Sequence, residues 1–262
     1  RFYFDGGLGL EKNKITQIET ENVYFVPKLL EGEYLLSKYS YYPKEAPIKV
    51  PQGSQGMVCF SEPFKIIWRK AHRGHTNFVF TDKRNIMMDP TYQFISSSNK
   101  YEIYYLHALL NSKINNLVLQ KLLKLGNEKL GIFIVIKRLK NFIRIPKITS
   151  ENQFIKDEVI KTTEQMLDLE KVTLRDVVNF NGVQMQQFNS VSVVGNNLVL
   201  DSMRLNIPEN YIVSVRDALQ NKYFDKKGNP LLTEIRLSEL KTLPVIDFEY
   251  QQKLKDYIDD LV

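Results

Sequence analysis

The stretch RLKNFIRIPKITSENQFIKDEVIKTTEQML, residues 138–167, predicts a strand, a proline stop and a long amphipathic helix in direct succession. Pro146 has no N–H for a strand ladder, so it ends a strand at a sheet edge. Ser150 stands where a side chain can cap the helix that follows. The buried stripe of that helix is predicted from apolar residues near helical spacing, namely Ile155, Val159, Met166 and Leu169.

A weaker copy of this unit closes the chain as RLSELKTLPVIDFEYQQKLKDYIDDLV, residues 236–262. The two copies align without gaps at a constant offset of 98 residues, and Asp247 takes the capping position in the second copy. The identical pairs are Arg138 with Arg236, Leu139 with Leu237, Pro146 with Pro244, Ile148 with Ile246, Gln153 with Gln251, and Ile160 with Ile258. The sequence therefore predicts a partial internal repeat.

Three stretches carry a resemblance to a known family. The repeated unit, an apolar segment with Ile or Leu before Pro and then a Gln opening a helix, resembles the end of a target recognition domain in type I restriction specificity subunits. IYYLHALLNSKINNLVLQ, residues 103–120, resembles the "YLLALLNSK" helix in the C-terminal specificity domain of type IIG restriction-modification enzymes and their adenine-methyltransferase relatives. PKLLEGE, residues 27–33, is similar to their "KPLLRG" segment, with Glu31 where a basic residue is usual.

The resemblance covers residues 20–170, and it implies sequence-specific recognition of double-stranded DNA. In that family the domain directs methyltransferase or endonuclease domains of the same polypeptide or complex. The implied parent is a bacterial, cytoplasmic type II restriction enzyme with adenine methyltransferase activity. S-adenosylmethionine and Mg²⁺ are expected as cofactors of the parent and none in this chain, which starts without methionine and is expected to be a fragment.

The composition excludes several classes of site. One cysteine, Cys59, rules out a disulfide framework and a thiolate metal site, and three histidines supply a histidine metal site poorly. The compartment is therefore expected to be reducing. No apolar run reaches the length of about 18 residues that a membrane helix needs, so no membrane partner is expected.

The positive charge is concentrated in the middle third of the chain. Residues 60–145 carry 15 basic and 5 acidic side chains, whereas residues 1–59 carry 7 of each and residues 146–262 carry 14 basic and 18 acidic. Such a block is expected of a surface that neutralises phosphates and releases their counterions. The alternative is a chain that is rich in lysine for reasons of genome composition.

A basic loop at residues 71–76 lies between two predicted strands at residues 64–70 and 76–80. Arginine and lysine reach guanine O6 and N7 in the major groove, and asparagine pairs with adenine. The loop and its flanks are therefore the first choice for DNA contacts, through Lys65, Arg69, Lys70, His72, Arg73, His75 and Asn77. A solvated hairpin loop is the alternative, and a zinc site there would lack further ligands.

Other cations are candidates for phosphate contacts, which position a protein on DNA without reading sequence. They are Lys83 and Arg84 in the next turn, Lys113 on a predicted helix at residues 101–125, and Lys137, Arg138, Lys140 and Arg144 on a predicted half-buried strand. The same helix has a predicted core stripe of Leu106, Leu109, Leu110, Leu117, Val118 and Leu122, beside which His107 is expected to pack.

These observations predict an α+β fold with small mixed sheets and two lobes. The expected divisions are a recognition lobe at residues 1–150, a spacer helix at 151–172 and a smaller second lobe at 173–262. The cofactor loop and the Asn/Asp-Pro-Pro-Tyr/Phe sequence of an adenine methyltransferase are missing, so the chain is expected to bind rather than catalyse. Two alternatives stay open: a nucleic-acid or protein interaction module without base readout, and a metal-dependent nuclease using Asp225, Glu239 and Lys241.

Overall fold

The computed structural model of the protein describes residues 3–6, 9–10, 12–16, 18, 24–25, 34–36, 38–43, 45–46, 48–49, 60–72, 77–88, 90–122, 132–133, 139–141 and 143–262. They form an α+β fold, as predicted, in two compact units. The first unit comprises Arg1–Glu164 with Tyr257–Val262, and the second comprises Gln165–Asp256. None of the helices in these ranges has the length and apolar character needed to span a bilayer.

The first unit is built around an antiparallel sheet. Its strands β1 to β11 lie, in chain order, at Tyr3–Gly6, Gly9–Leu10, Tyr24–Phe25, Ser40–Tyr41, Ile48–Lys49, Phe64–Arg69, Ala71–His72, Val79–Thr81, Ile86–Met87, Tyr92–Ser97 and Ile132–Phe133. The central sheet has the order β1, β10, β6, β8, and a smaller sheet has the order β4, β3, β9. Ile66 on β6 pairs with Phe80 on β8, so the predicted strand pair is confirmed.

Consecutive residues of β6 and β8 are buried, from Lys65 to Trp68 and from Val79 to Thr81, so the central sheet is covered on both faces there. One face of β6 directs Ile67 into a core shared with Phe25 of β3 and Ile86 of β9. On the other face, Phe80 meets Tyr104 edge to face at 5.0 Å between ring centroids. The sheet therefore lies between the smaller sheet and a helix.

The predicted helix at residues 101–125 is two helices, α1 at Lys100–Asn111 and α2 at Lys113–Leu122. The break falls at Ser112, whose hydroxyl donates to the Leu109 carbonyl at 2.8 Å. Leu106, Leu109 and Leu110 are buried as predicted. The prediction that Leu117 belongs to the core is wrong. The break turns α2 so that Leu119 is buried and Leu117 is 48% exposed.

The long helix predicted at residues 151–172 is α3 at Gln153–Leu169. It begins three residues after Ser150, which lies in the preceding turn, so the predicted Ser150 cap is wrong. Val159 and Met166 are buried on this helix, as the apolar spacing predicted. Ion pairs join this helix to α1, through Lys156 with Glu102 and through Lys100 with Glu164 at 2.6 Å.

The internal repeat has a different local structure from the one predicted. Residues 139–141 are helical and residues 143–149 have no regular structure, so the predicted strand before Pro146 is wrong. Leu139 and Ile143 are both buried, and their spacing of four residues fits one helical turn as well as a strand. The second copy has the same pattern, with a short helix at Leu237–Lys241 followed by a long helix at Phe248–Leu261.

The second unit has a hydrophobic core of its own. It contains strands β12 to β16 at Gln187–Phe188, Val191–Val194, Asn197–Leu200, Met203–Asn206 and Ile235–Arg236, and helices α4 to α6 at Leu174–Val177, Ile212–Tyr223 and Leu237–Lys241. Helix α7 at Phe248–Leu261 belongs to this unit as far as Asp256. The sequence Gly-Asn-Asn at residues 195–197 predicts a hairpin turn. The hairpin is confirmed, because β13 and β14 pair across Gly195, which has a φ of +59°. Val215 and Leu219 of α5 share a core with Leu198 of β14.

His107 is packed in the core, as predicted, with no exposed surface. Burial lowers the pKa of its imidazole to about 4, and the backbone near Tyr34 and Phe78 offsets a small part of that shift. Within the described part of the chain, neither ring nitrogen has a hydrogen-bond partner. The neutral form is therefore the one that the folded protein holds.

This burial predicts a loss of stability in mild acid. The pKa of His107 is lower in the folded than in the unfolded protein, so protonation favours the unfolded chain. The free energy of unfolding therefore keeps its full value above about pH 6.5 and decreases as the pH falls towards 4. Between about pH 7.5 and pH 5, the free energy of unfolding of the unaltered chain is expected to fall by about 2 kcal/mol more than that of His107→Leu. Urea unfolding at both pH values measures this, and equal losses in the two proteins would contradict it.

Candidate nucleic-acid interface

The cations predicted around the basic loop begin at the end of β6. Arg69 is the last residue of that strand, opposite Tyr92 of β10, and its side chain is exposed. Lys70 is half-buried, and its ammonium donates to the Pro90 carbonyl while its backbone N–H donates to the Thr91 carbonyl at 2.9 Å. The Arg69 side chain therefore reaches solvent, whereas the Lys70 ammonium is held at the turn before β10.

The basic loop itself is described only at its two ends. The backbone of His72 pairs with Ile132, which joins β7 to β11. Arg73 and His75 lie outside the described residues, as does the His72 side chain. Asn77, at the far end of the loop, is half-buried and directly precedes Phe78. These four residues stay predictions as DNA contacts.

Asn111 fixes the chain where it leaves this loop. Its side-chain oxygen accepts from the Phe78 N–H at 3.0 Å, and its amide nitrogen donates to the Phe78 carbonyl at 2.8 Å and to the His107 carbonyl at 3.1 Å. Asn111 is thus paired with both backbone groups of Phe78, as a neighbouring strand would be. This role was not predicted from the sequence, although a polar residue among the buried positions of α1 is a signal of it.

Lys83 and Arg84 lie in the turn between β8 and β9. Arg84 is exposed, and the Lys83 ammonium lies 5.4 Å from the Tyr24 ring centroid and 5.3 Å from that of Tyr39. Burial lowers the pKa of Lys83, but Tyr39 and Asp82 together raise it above its usual value. Lys83 is therefore cationic at neutral pH, and both side chains reach solvent at the same turn.

Lys65 lies inside the protein rather than on its surface. Its side chain has no exposed area, and its ammonium donates to the Glu62 carbonyl and, at 3.1 Å, to the Lys83 carbonyl. A group in this position does not reach DNA. Lys65 is therefore left out of the candidate interface, because the inward face of β6 carries it into the core.

The remaining predicted cations are dispersed. Lys113, Lys140 and Arg144 are exposed, and Lys137 and Arg138 lie outside the described residues. Lys113 begins α2, where its backbone N–H donates to an Asp259 carboxylate oxygen at 2.8 Å. The predicted half-buried strand that was to carry Lys140 and Arg144 is absent, as described above, but the solvent exposure of both side chains agrees with the prediction.

The two described groups of cations occupy opposite ends of β6. Thr81, directly before the turn with Lys83 and Arg84, pairs with Lys65 at one end, and Arg69 ends the strand four residues later. Four residues of strand span about 13 Å at 3.3 Å per residue. This is close to the width of the major groove, about 12 Å. Strand β6 therefore separates two solvent-facing basic groups.

The residues of the possible nuclease site are engaged in other contacts. The Asp225 carboxylate accepts from the backbone N–H groups of Lys227 and Asn229, both at 2.8 Å, and these bonds form the turn after α5. Hydrogen bonds from Asn229 also lower the Asp225 pKa. Glu239 lies 3.9 Å from Arg236, and Lys241 lies over the Phe180 ring. Across the described ranges, no group of three or more metal-binding side chains is found.

Comparison with known proteins gives one family. A family model described as a TaqI-like C-terminal specificity domain matches residues 10–142. The match spans β2 to β11 of the first unit, and it includes both basic groups at the ends of β6. No curated protein matches the chain.

Proposed function

Since the chain belongs to the family of TaqI-like C-terminal specificity domains, we propose that it reads a short sequence in double-stranded DNA. Membership of the family supports a DNA-specificity role in a restriction-modification system. The finer part of the proposal is direct contact with base edges in the major groove. The family match over residues 10–142 is the observation that carries the proposal. It is independent of the charge distribution, and it covers most of the basic block at residues 60–145.

The arrangement of the exposed cations supports a division of labour. Arg69 and the adjoining loop would contact base edges, where an arginine can pair with guanine through two hydrogen bonds. Lys83 and Arg84, at the other end of β6, would contact phosphates and fix the register of the protein on the duplex. The sheet between them would hold both contacts at a constant separation.

The catalytic steps are proposed to belong to other domains. A methyltransferase or endonuclease of the same polypeptide or complex would act at the site that this chain selects, using S-adenosylmethionine or Mg²⁺. The turn-forming contacts of Asp225 favour a structural role for that residue, so the nuclease alternative has no support from the second unit.

Binding of the full chain to a fluorescein-labelled DNA duplex of mixed sequence tests the DNA-binding part of the proposal. Affinity is expected to fall steeply between about 50 and 200 mM salt, because binding neutralises several phosphates and releases counterions. An RNA duplex of the same sequence serves as the control, since its deep and narrow major groove does not admit these side chains. Equal binding of both duplexes would contradict recognition of the DNA major groove, and a flat salt dependence would contradict contacts with several phosphates.

A further inference from the structure

We propose that Lys65 and a pair of tyrosine rings, Tyr24 and Tyr39, are positioning residues that preform the turn at residues 82–85 for contact with DNA phosphates. This inference rests on the proposed function and adds to it a built-in phosphate-binding element. The ligand is a phosphodiester of the duplex backbone, so the contact is independent of sequence. The three positioning residues do not contact the phosphate themselves; Lys83 and Arg84 do.

The backbone of the turn is held from several directions. The Lys83 carbonyl accepts from the buried Lys65 ammonium at 3.1 Å, and the Lys83 N–H donates to the Thr81 hydroxyl at 3.2 Å. The Asn85 carbonyl accepts from the Tyr24 N–H at 3.2 Å. Asn85 has a φ of +50°, in the left-handed region that asparagine tolerates better than most residues. The turn is thus fixed in the absence of DNA.

Burial of a lysine at position 65 needs an explanation, because an apolar side chain would fill the same space without desolvating a charge. A buried ammonium is tolerated when hydrogen bonds satisfy it, and here backbone carbonyls do so. One of those carbonyls belongs to Lys83 itself. Lys65 therefore connects the inner face of β6 to the residue whose side chain faces solvent at the turn.

The tyrosine rings hold the other end of Lys83. Its ammonium lies over both rings, and the rings meet edge to face with centroids 4.8 Å apart. A lysine that is ordered in advance loses less rotamer freedom when it binds a phosphate. The turn carries two cations, Lys83 and Arg84, and one carboxylate, Asp82. We therefore expect phosphate binding at the turn to depend more on the placement of the cations than on their number.

Salt dependence of binding to the mixed-sequence DNA duplex tests the inference in the full chain. Replacing both Lys83 and Arg84 by alanine is expected to reduce the slope of log affinity against log salt by about 2, one unit for each lost phosphate contact. Lys65→Met is expected to reduce the slope by at least about 1, although Lys65 is buried. Combining all three replacements is expected to cause no further loss. Lys222→Ala, at an exposed lysine of the second unit, is the control and leaves the slope unchanged.

A purely structural role for Lys65 would lower the melting temperature without changing the slope, and that result overturns the inference. If Lys65→Met does not fold, Tyr39 decides: Tyr39→Leu reduces the slope and Tyr39→Phe, which keeps the ring, does not. Equal slopes for these two variants and the unaltered chain overturn the inference. If the unaltered chain binds DNA but the Lys83 and Arg84 variant has the same slope, the inference fails and the proposed function stands. No binding by the unaltered chain overturns both.

Discussion

Replacing Arg69 and Lys70 together by glutamate is expected to weaken binding of duplex DNA by roughly 30-fold or more, at about 1 to 3 kcal/mol for each lost contact. Charge reversal removes two favourable contacts and adds repulsion from the phosphates. Of the single alanine variants, Arg69→Ala is expected to have the larger effect, because the Lys70 ammonium is already bonded to the Pro90 carbonyl. Equilibrium titration with labelled duplex measures both effects.

The matched control reverses two exposed cations of the second unit, Arg204 and Lys222, and is expected to change affinity less than about 3-fold. Equal losses in the two charge-reversed proteins would mean that net charge alone governs binding. A large fall in melting temperature for Arg69→Glu alone would mean that Arg69 is structural, since Lys70 is already bonded to the Pro90 carbonyl. Either result would remove Arg69 from the candidate interface.

Replacing Asn111 by leucine is expected to lower the free energy of unfolding by about 3 to 5 kcal/mol. Leucine has nearly the same size, so the loss comes from leaving the buried N–H and carbonyl of Phe78 without partners rather than from a cavity. Each unpaired buried group costs about 1 to 3 kcal/mol. Chemical denaturation at neutral pH measures the change.

Asn141→Leu is the control for Asn111→Leu, because Asn141 is exposed in the same unit. Its effect is expected to stay within about 0.5 kcal/mol, as for most surface substitutions. If Asn111→Leu also stays within that range, the hydrogen bonds to Phe78 contribute little, and another feature must hold the chain beyond the basic loop.

The sequence predicted the parts of the fold that depend on local patterns. Alternation of apolar residues identified β6, and the Gly-Asn-Asn turn identified the hairpin of β13 and β14. The segment before Pro146 was misread because buried residues four positions apart, Leu139 and Ile143, satisfy a helical turn and an extended chain equally. Only packing against the rest of the unit selects between these conformations.

Residues of the candidate interface were predictable only where the solvent exposure of a side chain follows from its position at the end of a strand or in a turn. Arg69 and Arg84 stand at the end of a strand and in a turn, where a charged side chain reaches solvent, and both are exposed. Lys65 lies in the same basic block, but the strand directs it inward, where it donates to the Lys83 carbonyl, 18 positions later. Asn111 pairs with Phe78, 33 positions earlier. Such partners are set by tertiary structure, which the local sequence does not encode.

Selection from a library of randomised DNA duplexes, at two salt concentrations and with sequencing of the retained molecules, tests the central claim most directly. Base readout costs about 1 to 3 kcal/mol for each wrong base pair, so the account predicts enrichment of a short motif together with a steep fall in retention as salt rises. Salt-dependent retention without any enriched motif would contradict sequence recognition by this chain, and it would leave a protein that contacts only the DNA backbone.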